Sequence, residues 1–388
     1  MVNHRIPTSS SKETVAGIQV LRAFAVLVVT ICHAQFEASR IGDLPGAMPS
    51  ATVTGLAAFG VQLFFVISGF VMVYATEPLF GTRPGPFVFL ERRLARIVPL
   101  YWIVTTFYLA LTLLFTKFDK AYPASFVIAS YLFIPAARPD GIIEPLVGQG
   151  WSLNFEMLFY VVFAVTVFWS RRMSATIVTV ILLGSVAIGE VFRSQLPFVV
   201  MVWTSPILLY FVFGIWIGLV YRQGWRLTPV QGLTLIACGC VLLGVEFYWA
   251  PQSFFAGLAV WCIPPLFVVG ASLPRLSLKG PFWSAVMVIG AASYALYLFH
   301  AVPIRTLFFF ARWTGLDIGR APLAYVSVSV IIAIALAIAI HYLIERPLLK
   351  ALRWRGPEKT RQPYVDGFDK SAVISTPDLL ARSVEERA

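Results

Sequence analysis

Residues 18–36 of the chain read IQVLRAFAVLVVTICHAQF, an apolar run interrupted by Arg22 and His33. A helix of about 20 predominantly apolar residues is long enough to cross a bilayer. Similar runs recur along the sequence, near residues 55–75, 97–116, 151–170, 174–192, 197–220, 229–248, 254–273, 285–305 and 322–344. The sequence therefore predicts an all-α fold, a polytopic membrane bundle of about ten spanning helices.

The composition excludes an ordinary soluble domain. Hydrophobic residues make up 59% of the 388 residues and charged residues only 13%, against about 25% charged residues in soluble domains. The net charge of +11 comes from Lys and Arg between apolar runs, which is typical of membrane topology rather than of nucleic-acid binding. The four cysteines lie in apolar runs without zinc-ligand or redox spacing, so we expect a packing role and no metal site.

The basic segments predict how the helices are oriented. Lys and Arg follow the second, fourth, sixth and eighth apolar runs, as Arg83, Arg92, Arg93, Arg96, Arg171, Arg172, Arg222, Arg226, Arg275 and Lys279. Because cytoplasmic loops of membrane proteins are enriched in Lys and Arg, we expect these segments and both termini on the cytoplasmic side of a bacterial inner membrane. Three arginines fall on the outer side as exceptions, Arg305, Arg312 and Arg320.

One further apolar run, residues 125–134, is too short to span comfortably. Counting it as a crossing would reverse the sidedness of every later loop, so we expect a re-entrant or interfacial segment. The chain then divides into a cytoplasmic tail (1–16), a transmembrane domain (17–348) and a second cytoplasmic tail (349–388). The last tail is polar without clear periodicity, which predicts flexibility.

Arg22 and His33 in the first run are eleven residues apart. In a helix this spacing returns them to within about 20° of one face, roughly 16 Å apart along the axis. Ionisable residues inside spanning helices are costly and are candidates for function. A snorkelling arginine and a hydrogen-bonded core histidine explain the same pattern equally well.

The fourth and ninth runs also carry polar residues at helical spacing. Ser152 and Glu156 lie one turn apart at the outer end of the fourth run, after Trp151. Glu156 could hold an imidazole in one tautomer, act as a base, or pair with a neighbouring helix. Ser293, Tyr297 and His300 share a face of the ninth run, with His300 close in depth to His33. A ligand-lining or structural role for this face is as plausible as a catalytic one.

In the second run, Gly60 and Gly69 permit close approach of another helix, which favours a structural role. Ser68 lies near mid-depth between them, and Gln62 is the more informative polar residue of this run. Near the end of the last run, Glu345 and Arg346 could form a structural ion pair.

Three arginines, Arg92, Arg93 and Arg96, precede the third run, and the last two present guanidinium groups on one helical face. Planar guanidinium forks suit phosphate recognition. Positive-inside charge or contact with lipid headgroups explains them equally well.

Taken together, the motifs resemble the acyltransferase 3 family of membrane acyltransferases, in the branch that decorates exopolysaccharide, O-antigen and Nod-factor sugars. The resemblance covers about residues 17–348. It rests on the Arg22 to His33 pattern and on segments that occur in family order: FFVISGF (64–70), the arginines with PLYW (99–102), WSL (151–153) with Glu156, SYALYLFH (293–300) and ERP (345–347).

The resemblance implies a ten-helix domain that takes acyl-coenzyme A, with acetyl as the most frequent group, from the cytoplasm and an acceptor sugar from the other side. It also implies that Arg22 and His33 are the family's essential pair and that Arg93 and Arg96 are its cytoplasmic arginine motif. Gln62 stands where many relatives have an acid. The hydrolase-like domain fused to some relatives is not expected here.

These observations lead to one mechanistic hypothesis. Arg93 and Arg96, with Arg92, hold the phosphates of acyl-coenzyme A, while His33 acts as general base or as acyl acceptor and Glu156 orients it. The expected substrate-lining residues are Gln62, Ser68, Trp151, Ser152, Tyr297 and His300. The expected partners are a carbohydrate acceptor, membrane lipid and polysaccharide biosynthesis or export proteins.

Two other classes of function fit a bundle with polar residues at mid-depth. One is a transporter or flippase of a lipid-linked sugar. The other is a non-catalytic subunit of a polysaccharide export complex.

Overall fold

The computed structural model describes residues 8–40, 50–115, 122–249, 254–315 and 321–352, and these residues form an all-helical fold. In chain order the helices are α1 (Thr8–Ser39), α2 (Ser50–Ala75), α3 (Gly85–Phe115), α4 (Ala124–Tyr131), α5 (Trp151–Thr166), α6 (Arg171–Phe192), α7 (Phe198–Trp203), α8 (Leu209–Arg222), α9 (Pro229–Trp249), α10 (Phe254–Ser272), α11 (Pro281–Ala291), α12 (Ser293–Phe299), α13 (Ala301–Thr314), α14 (Pro322–Ile340) and α15 (Arg346–Ala351). A π-helical turn, His341–Glu345, joins α14 to α15. Most of the second predicted tail lies outside the described residues.

Within these residues, eight helical stretches are long and apolar enough to cross a membrane. They are α1, α2, α3, α6, α9, α7 with α8, α12 with α13, and α14 with α15. The other two predicted runs form α5 and α10, which are shorter. The chain is therefore a multi-pass helical membrane protein, as its sequence predicts.

Several helix boundaries differ from the predicted ones. α3 begins at Gly85 rather than near residue 97, so the three arginines lie on its early turns instead of in a loop; arginine is a good helix former. The sixth run is broken between α7 and α8 at Pro206, which has no N–H for a helical hydrogen bond. The ninth run is interrupted at Ala292, between α11 and α12.

The short helix α4 does not cross the bundle between α3 and α5. Phe89 near the start of α3 packs on Phe163 near the end of α5, with ring centroids 5.1 Å apart. Tyr101, further along α3, lies against Gly150 at the start of α5 and donates a hydrogen bond of 3.0 Å to the Ser130 carbonyl in α4. α3 and α5 are therefore antiparallel, and the short α4 begins and ends on one side of the bundle.

We call the side of the bundle on which α1 begins the amino-terminal face, and the other side the opposite face. α1 and α2 are antiparallel, because Gly60 in the first half of α2 packs on Ala25 and Val29, whereas Ser68 in its second half borders a cavity with Arg22, earlier in α1. The end of α2 therefore lies at the amino-terminal face.

Ion pairs tie helix ends together at both faces. At the amino-terminal face, Glu77 after α2 pairs with Arg171 at the start of α6 (2.6 Å) and with Arg222 at the end of α8 (3.5 Å). At the opposite face, the buried Glu37 of α1 pairs with Arg305 of α13 at 3.1 Å. These contacts fix the helices in register at their ends.

Of the four cysteines, only Cys32 is buried. Cys238, Cys240 and Cys262 are exposed on α9 and α10, so the packing role predicted for all four is wrong for these three. An apolar surface towards lipid accommodates a small, weakly polar thiol without a packing partner.

Glycine contacts hold α2 and α8 together, as small residues do in membrane bundles. A Cβ atom on Gly69 would lie 2.2 Å from the Phe211 carbonyl oxygen, and one on Gly214 would lie 2.0 Å from the Val66 carbonyl oxygen. Both distances are far below van der Waals contact. The two carbonyl oxygens belong to helical backbone, which cannot move aside. The structural role predicted for Gly69 is confirmed by this contact.

Gly214→Ala is therefore expected to lower the free energy of unfolding by about 1–3 kcal/mol, the usual cost of overpacking. Gly184→Ala in α6 is the matched control, because nothing lies within 4 Å of the added methyl group. Thermal denaturation of the purified protein in detergent measures both. Equal melting temperatures for the two variants would contradict the close contact.

Candidate active site

A cavity of about 100 Å³ opens between α1, α2, α3, α5 and α12. Its polar lining gathers residues from all five helices: Arg22, Ser68, Arg93, Arg96, Ser152, Glu156, Tyr160, Ser293, Tyr294 and Tyr297. The sequence predictions named eight of these, from runs far apart in the chain. The cavity is a meeting point of the polar residues that interrupt the apolar helices.

Glu156 is the carboxylate of this cavity. Ser68 Oγ donates a hydrogen bond of 3.0 Å to Glu156 Oε1, and the Tyr160 hydroxyl donates to the same oxygen. Tyr160 lies four residues after Glu156 on α5, so the two side chains meet on one helical face. An ionised carboxylate can only accept hydrogen bonds, and both hydroxyl groups serve it as donors.

Arg22 is held inside the bundle. Its Nε and Nη2 atoms donate hydrogen bonds of 3.1 and 2.8 Å to Ser293 Oγ. The charge of Arg22 interacts favourably with Glu156 and Glu345 and unfavourably with Arg96. A buried cation requires compensation of this kind, and its contacts inside the cavity do not match a snorkelling arginine.

Glu345 belongs to the π-helical turn after α14 and is buried. Its Oε2 atom lies 2.8 Å from His341 Nδ1, while Arg346 lies over the Tyr342 ring, 5.1 Å from its centroid. The ion pair predicted between Glu345 and Arg346 is therefore replaced by a His341–Glu345 contact. π-helical turns frequently occur at functional sites, and this one places a second carboxylate beside Arg22.

The cavity has a positive lining. It carries the guanidinium groups of Arg22, Arg93 and Arg96 against the single carboxylate of Glu156. Arg93 is buried, lies 5.6 Å from the Phe89 ring centroid, and has no hydrogen-bond partner for Nε within the described residues. Such a site suits an anionic group, because guanidinium forks bind phosphate and carboxylate oxygens in pairs.

Two histidines meet further towards the opposite face. The rings of His33 and His300 lie 4.9 Å apart at 61°. His33 Nδ1 contacts the Val29 carbonyl at 2.8 Å, and His300 Nδ1 contacts the carbonyls of Leu296 (3.1 Å) and Tyr297 (2.9 Å). A carbonyl oxygen only accepts, so each Nδ1 carries the hydrogen and each neutral ring has its basic lone pair at Nε2.

The two histidines differ in access. His33 is exposed, whereas His300 is 1% exposed and its Nε2 has no partner within the described residues. His33 is therefore the more accessible of the two rings, and His300 is enclosed by its neighbours.

Tyr297 borders both the cavity and the histidine pair. Its hydroxyl donates a 2.8 Å hydrogen bond to the Gln149 carbonyl, and so accepts the 2.8 Å hydrogen bond from Ser152 Oγ. Its ring lies 6.3 Å from the His300 ring and 5.9 Å from that of Phe64. Tyr297 therefore lies between the arginine cavity and the histidine pair.

Comparison with known proteins identifies the family of the chain. A family model described as an acyltransferase domain matches residues 15–342. The chain belongs to the acyltransferase 3 family. It is an acyltransferase of the membrane-embedded type, as the resemblance of its motifs implies. No solved structure matches the chain significantly.

Three relatives show the range of the similarity. The chain is 34% identical to the exopolysaccharide production protein ExoZ of Rhizobium meliloti, over 77% of this chain and 92% of ExoZ. It is 26% identical to the acyltransferase MdmB of Streptomyces mycarofaciens, over 88% of this chain and 93% of MdmB. It is 27% identical to the O-acetyltransferase OatA of Staphylococcus aureus, over 76% of this chain and 51% of OatA.

Not every predicted site residue of this acyltransferase 3 protein lies in the cavity. His33 and His300 form the separate pair, and the lining omits Gln62, Trp151 and Arg92. Trp151 faces a second cavity on another side of α5. Arg22 and His33 share one helical face, but the cavity lining includes only Arg22.

The predicted contact between Glu156 and His33 is wrong. Glu156 accepts hydrogen bonds from Ser68 and Tyr160, and the Nδ1 atom of His33 bonds to the carbonyl of Val29, one turn earlier in its own helix. Within the helix, this carbonyl is always in reach of the side chain four residues later. It fixes the tautomer of His33 without a carboxylate.

Sequence reasoning missed two tyrosines of the cavity in this acyltransferase. Tyr160 could have been found from its spacing of four residues after Glu156. Tyr294, whose hydroxyl donates a 2.7 Å hydrogen bond to the Ile97 carbonyl of α3, gave no such signal, because its partner is a backbone atom of a distant helix. Within the described part of the chain, no three His, Cys, Asp or Glu side chains are grouped to hold a metal ion.

Proposed function

We propose that this acyltransferase moves an acetyl group from acyl-coenzyme A, bound at the amino-terminal face, to a hydroxyl group of a cell-surface or exported carbohydrate at the opposite face. The observation that carries the proposal is the pairing of an arginine-lined cavity with an exposed histidine whose Nε2 is free to act as a base. The names of ExoZ and OatA, which refer to exopolysaccharide and O-acetyl transfer, agree with it.

The amino-terminal face is the cytoplasmic face in this proposal. Helix ends at that face carry basic side chains, including Arg171 and Arg222, and the positive-inside rule assigns such ends to the cytoplasm. Both termini would then be cytoplasmic in a bacterial inner membrane. Residues 17–348 would form the catalytic domain between two tails, 1–16 and 349–388.

The donor would bind by its phosphates. Arg93 and Arg96 line the cavity on early turns of α3, and Arg92 precedes them. Charge-assisted hydrogen bonds from guanidinium groups to phosphate are among the stronger polar contacts in proteins. The pantetheine arm would pass Arg22 and bring the thioester towards Tyr297, the residue that borders both the cavity and the histidine pair.

His33 would handle the proton of the acceptor. Its Nε2 takes the hydroxyl proton as the oxygen attacks the thioester carbonyl, and the imidazolium returns the proton to the sulfur of departing coenzyme A. In a second route, Nε2 attacks the thioester carbonyl and coenzyme A leaves as its thiolate; the sugar hydroxyl then displaces the acetyl group from Nε2, and the hydroxyl proton goes to the thiolate. Glu156 would act at a distance from this chemistry, by compensating the charge of Arg22.

Liposomes containing the purified protein and acetyl-coenzyme A labelled on the acetyl group test the proposal. We expect thiol release, and transfer of label to a carbohydrate acceptor added on the other side. A transporter of lipid-linked sugar or a non-catalytic subunit would release no thiol. Absence of thiol release from correctly inserted wild-type protein would therefore overturn the proposal.

The donor site gives a separate prediction. Arg96→Ala and Arg93→Ala are each expected to raise the KM for acetyl-coenzyme A by about 10- to 100-fold, because each removes a charge-assisted hydrogen bond. Steady-state thiol release in liposomes measures this. Arg172→Ala is the matched control, since Arg172 is exposed and does not line the cavity. Similar KM values for all three variants would exclude the arginines as the phosphate site.

A further inference from the structure

A second and larger cavity, of about 230 Å³, lies beside the first turns of α5. Trp151 and Asn154 of α5 line it, together with Glu144 from the segment before α5, Arg193 after α6, and Met201 of α7. Ser152 and Glu156 of the same helix line the arginine cavity instead. The beginning of α5 therefore separates two cavities, and the proposed chemistry leaves this one without a role.

The segment that lines this second cavity is connected to the helix that leads to His300. The charge of Glu144 acts on both His33 and Tyr297. Gln149, two residues before Trp151, donates a 2.8 Å hydrogen bond to the Leu298 carbonyl and accepts one from the Tyr297 hydroxyl. The segment that carries the cavity wall is thus attached directly to the helix that ends at His300.

Asn154 shows that the cavity is built for a polar molecule. Its side chain is 4% exposed, and its Oδ1 has no hydrogen-bond partner within the described residues. A buried acceptor without a donor costs free energy, so native structures nearly always supply one. Because this oxygen is itself buried, a hydroxyl group of a ligand in the cavity would supply that donor once the amide group rotates and turns Oδ1 towards it.

The other lining groups fit a sugar ring. The indole ring of Trp151, edge-on to Phe155 at 6.1 Å, offers an apolar surface with one polar edge. Glu144 can accept from hydroxyl groups and Arg193 can donate to them. A sugar presents the matching combination, since its C–H groups form an apolar face and its hydroxyls surround the rim. The volume is below the roughly 300 Å³ of pockets for drug-sized ligands, which suits a single ring.

We propose that this cavity is the acceptor subsite, in which one sugar ring packs on Trp151 and donates a hydroxyl hydrogen bond to Asn154. The inference rests on the proposed function, because it takes the acceptor to be a carbohydrate. In this proposal the ring lies on the side of α5 away from the arginine cavity, and a neighbouring hydroxyl of the same glycan extends to the exposed His33. Donor and acceptor thus occupy different cavities and meet at the histidines.

Photocrosslinking tests the site without requiring transfer. The probes are methyl glycosides of glucose, galactose and N-acetylglucosamine that carry a diazirine, added to the full chain in liposomes without acetyl-coenzyme A. We expect labelling within residues 143–155 or 201–207, located by mass spectrometry and competed by the unlabelled glycosides. Labelling only elsewhere, or none with any probe, would overturn the inference.

Variants connect the labelling to the two residues. Asn154→Leu and Trp151→Ala are expected to reduce it about tenfold or more, the effect of losing one well-placed contact. Trp151→Phe keeps an aromatic surface and should restore most of it. Trp225→Ala is the control, because Trp225 is exposed and lies outside both cavities. Unchanged labelling in Asn154→Leu and Trp151→Ala would contradict the assigned contacts.

Thiol release from acetyl-coenzyme A separates the two proposals. In these variants the KM for the glycoside should rise while the KM for acetyl-coenzyme A stays unchanged. If the wild-type protein bound the glycosides here but released no thiol, the subsite would stand and the proposed transfer would fail. If thiol release were normal and this cavity remained unlabelled, only the acceptor subsite would fail.

Discussion

His33→Ala is expected to lower acetyl transfer by about 10²- to 10⁴-fold, the usual contribution of a general base. Its stability should change little, because His33 is exposed and its Nδ1 bonds only to the carbonyl of Val29 in its own helix. Label transfer in liposomes measures the first effect, and thermal denaturation in detergent measures the second. Normal transfer by a correctly inserted His33→Ala protein would rule out a catalytic role for this histidine.

His300→Ala provides the comparison. Since His300 is buried and packs between His33 and Tyr297, we expect this variant to lose stability as well as transfer. A rapid-quench experiment with labelled acetyl-coenzyme A and no acceptor then separates the two routes. Label bound covalently to wild-type protein and absent from His33→Ala supports an acetyl-histidine; its absence from both supports the general base.

Arg22→Ala is expected to be the most damaging change in the arginine cavity. It removes two hydrogen bonds to Ser293 and a cation whose charge interacts favourably with Glu345 and Glu156. Hydrogen bonds to charged groups each contribute about 1.5–3 kcal/mol, so we expect lower stability together with loss of transfer. Ser293→Ala removes only the neutral partner and should cost less, about 1–3 kcal/mol.

A double-mutant cycle isolates the interaction between the two charges. Glu156→Gln added to Arg22→Ala also removes the carboxylate that favours the Arg22 charge, so the double variant should lose less stability than the sum of the two single variants. Residues that act through one network deviate from additivity in this way. Thermal denaturation of the four proteins measures the coupling. Strictly additive losses would show that Arg22 and Glu156 do not compensate each other.

The fold class could be predicted from the sequence because apolar run length depends on bilayer thickness alone. The residues of the arginine cavity were also largely predictable. Arg22, Ser68 and Glu156 interrupt apolar helices, and a polar side chain at that depth must point towards other polar groups. The spacing of residues within one helix gives the depth and the helical face of each side chain. These two properties are enough to identify which residues belong to a site.

The partners within the site could not be predicted in the same way. Glu156 and His33 were expected to meet because both lie towards the outer half, yet depth does not specify which helices are neighbours. The helix breaks at Pro206 and Ala292 and the π-helical turn at Glu345 depend on packing between helices. Trp151 was expected to line a substrate site, but its cavity could not be distinguished from that of Ser152, its immediate neighbour.

The eight residues of α4 also govern how the chain is threaded into the membrane during synthesis. If about 20 apolar residues stood in place of α4, the insertion machinery would accept them as a spanning helix. α5 would then be inserted in the opposite orientation. Ser152 and Glu156 would then lie near the amino-terminal face instead of the opposite face, and each helix after α5 would be inverted as well. The assembly of the cavity therefore depends on α4, which contributes no side chain to it, because α4 is too short to be inserted as a spanning helix.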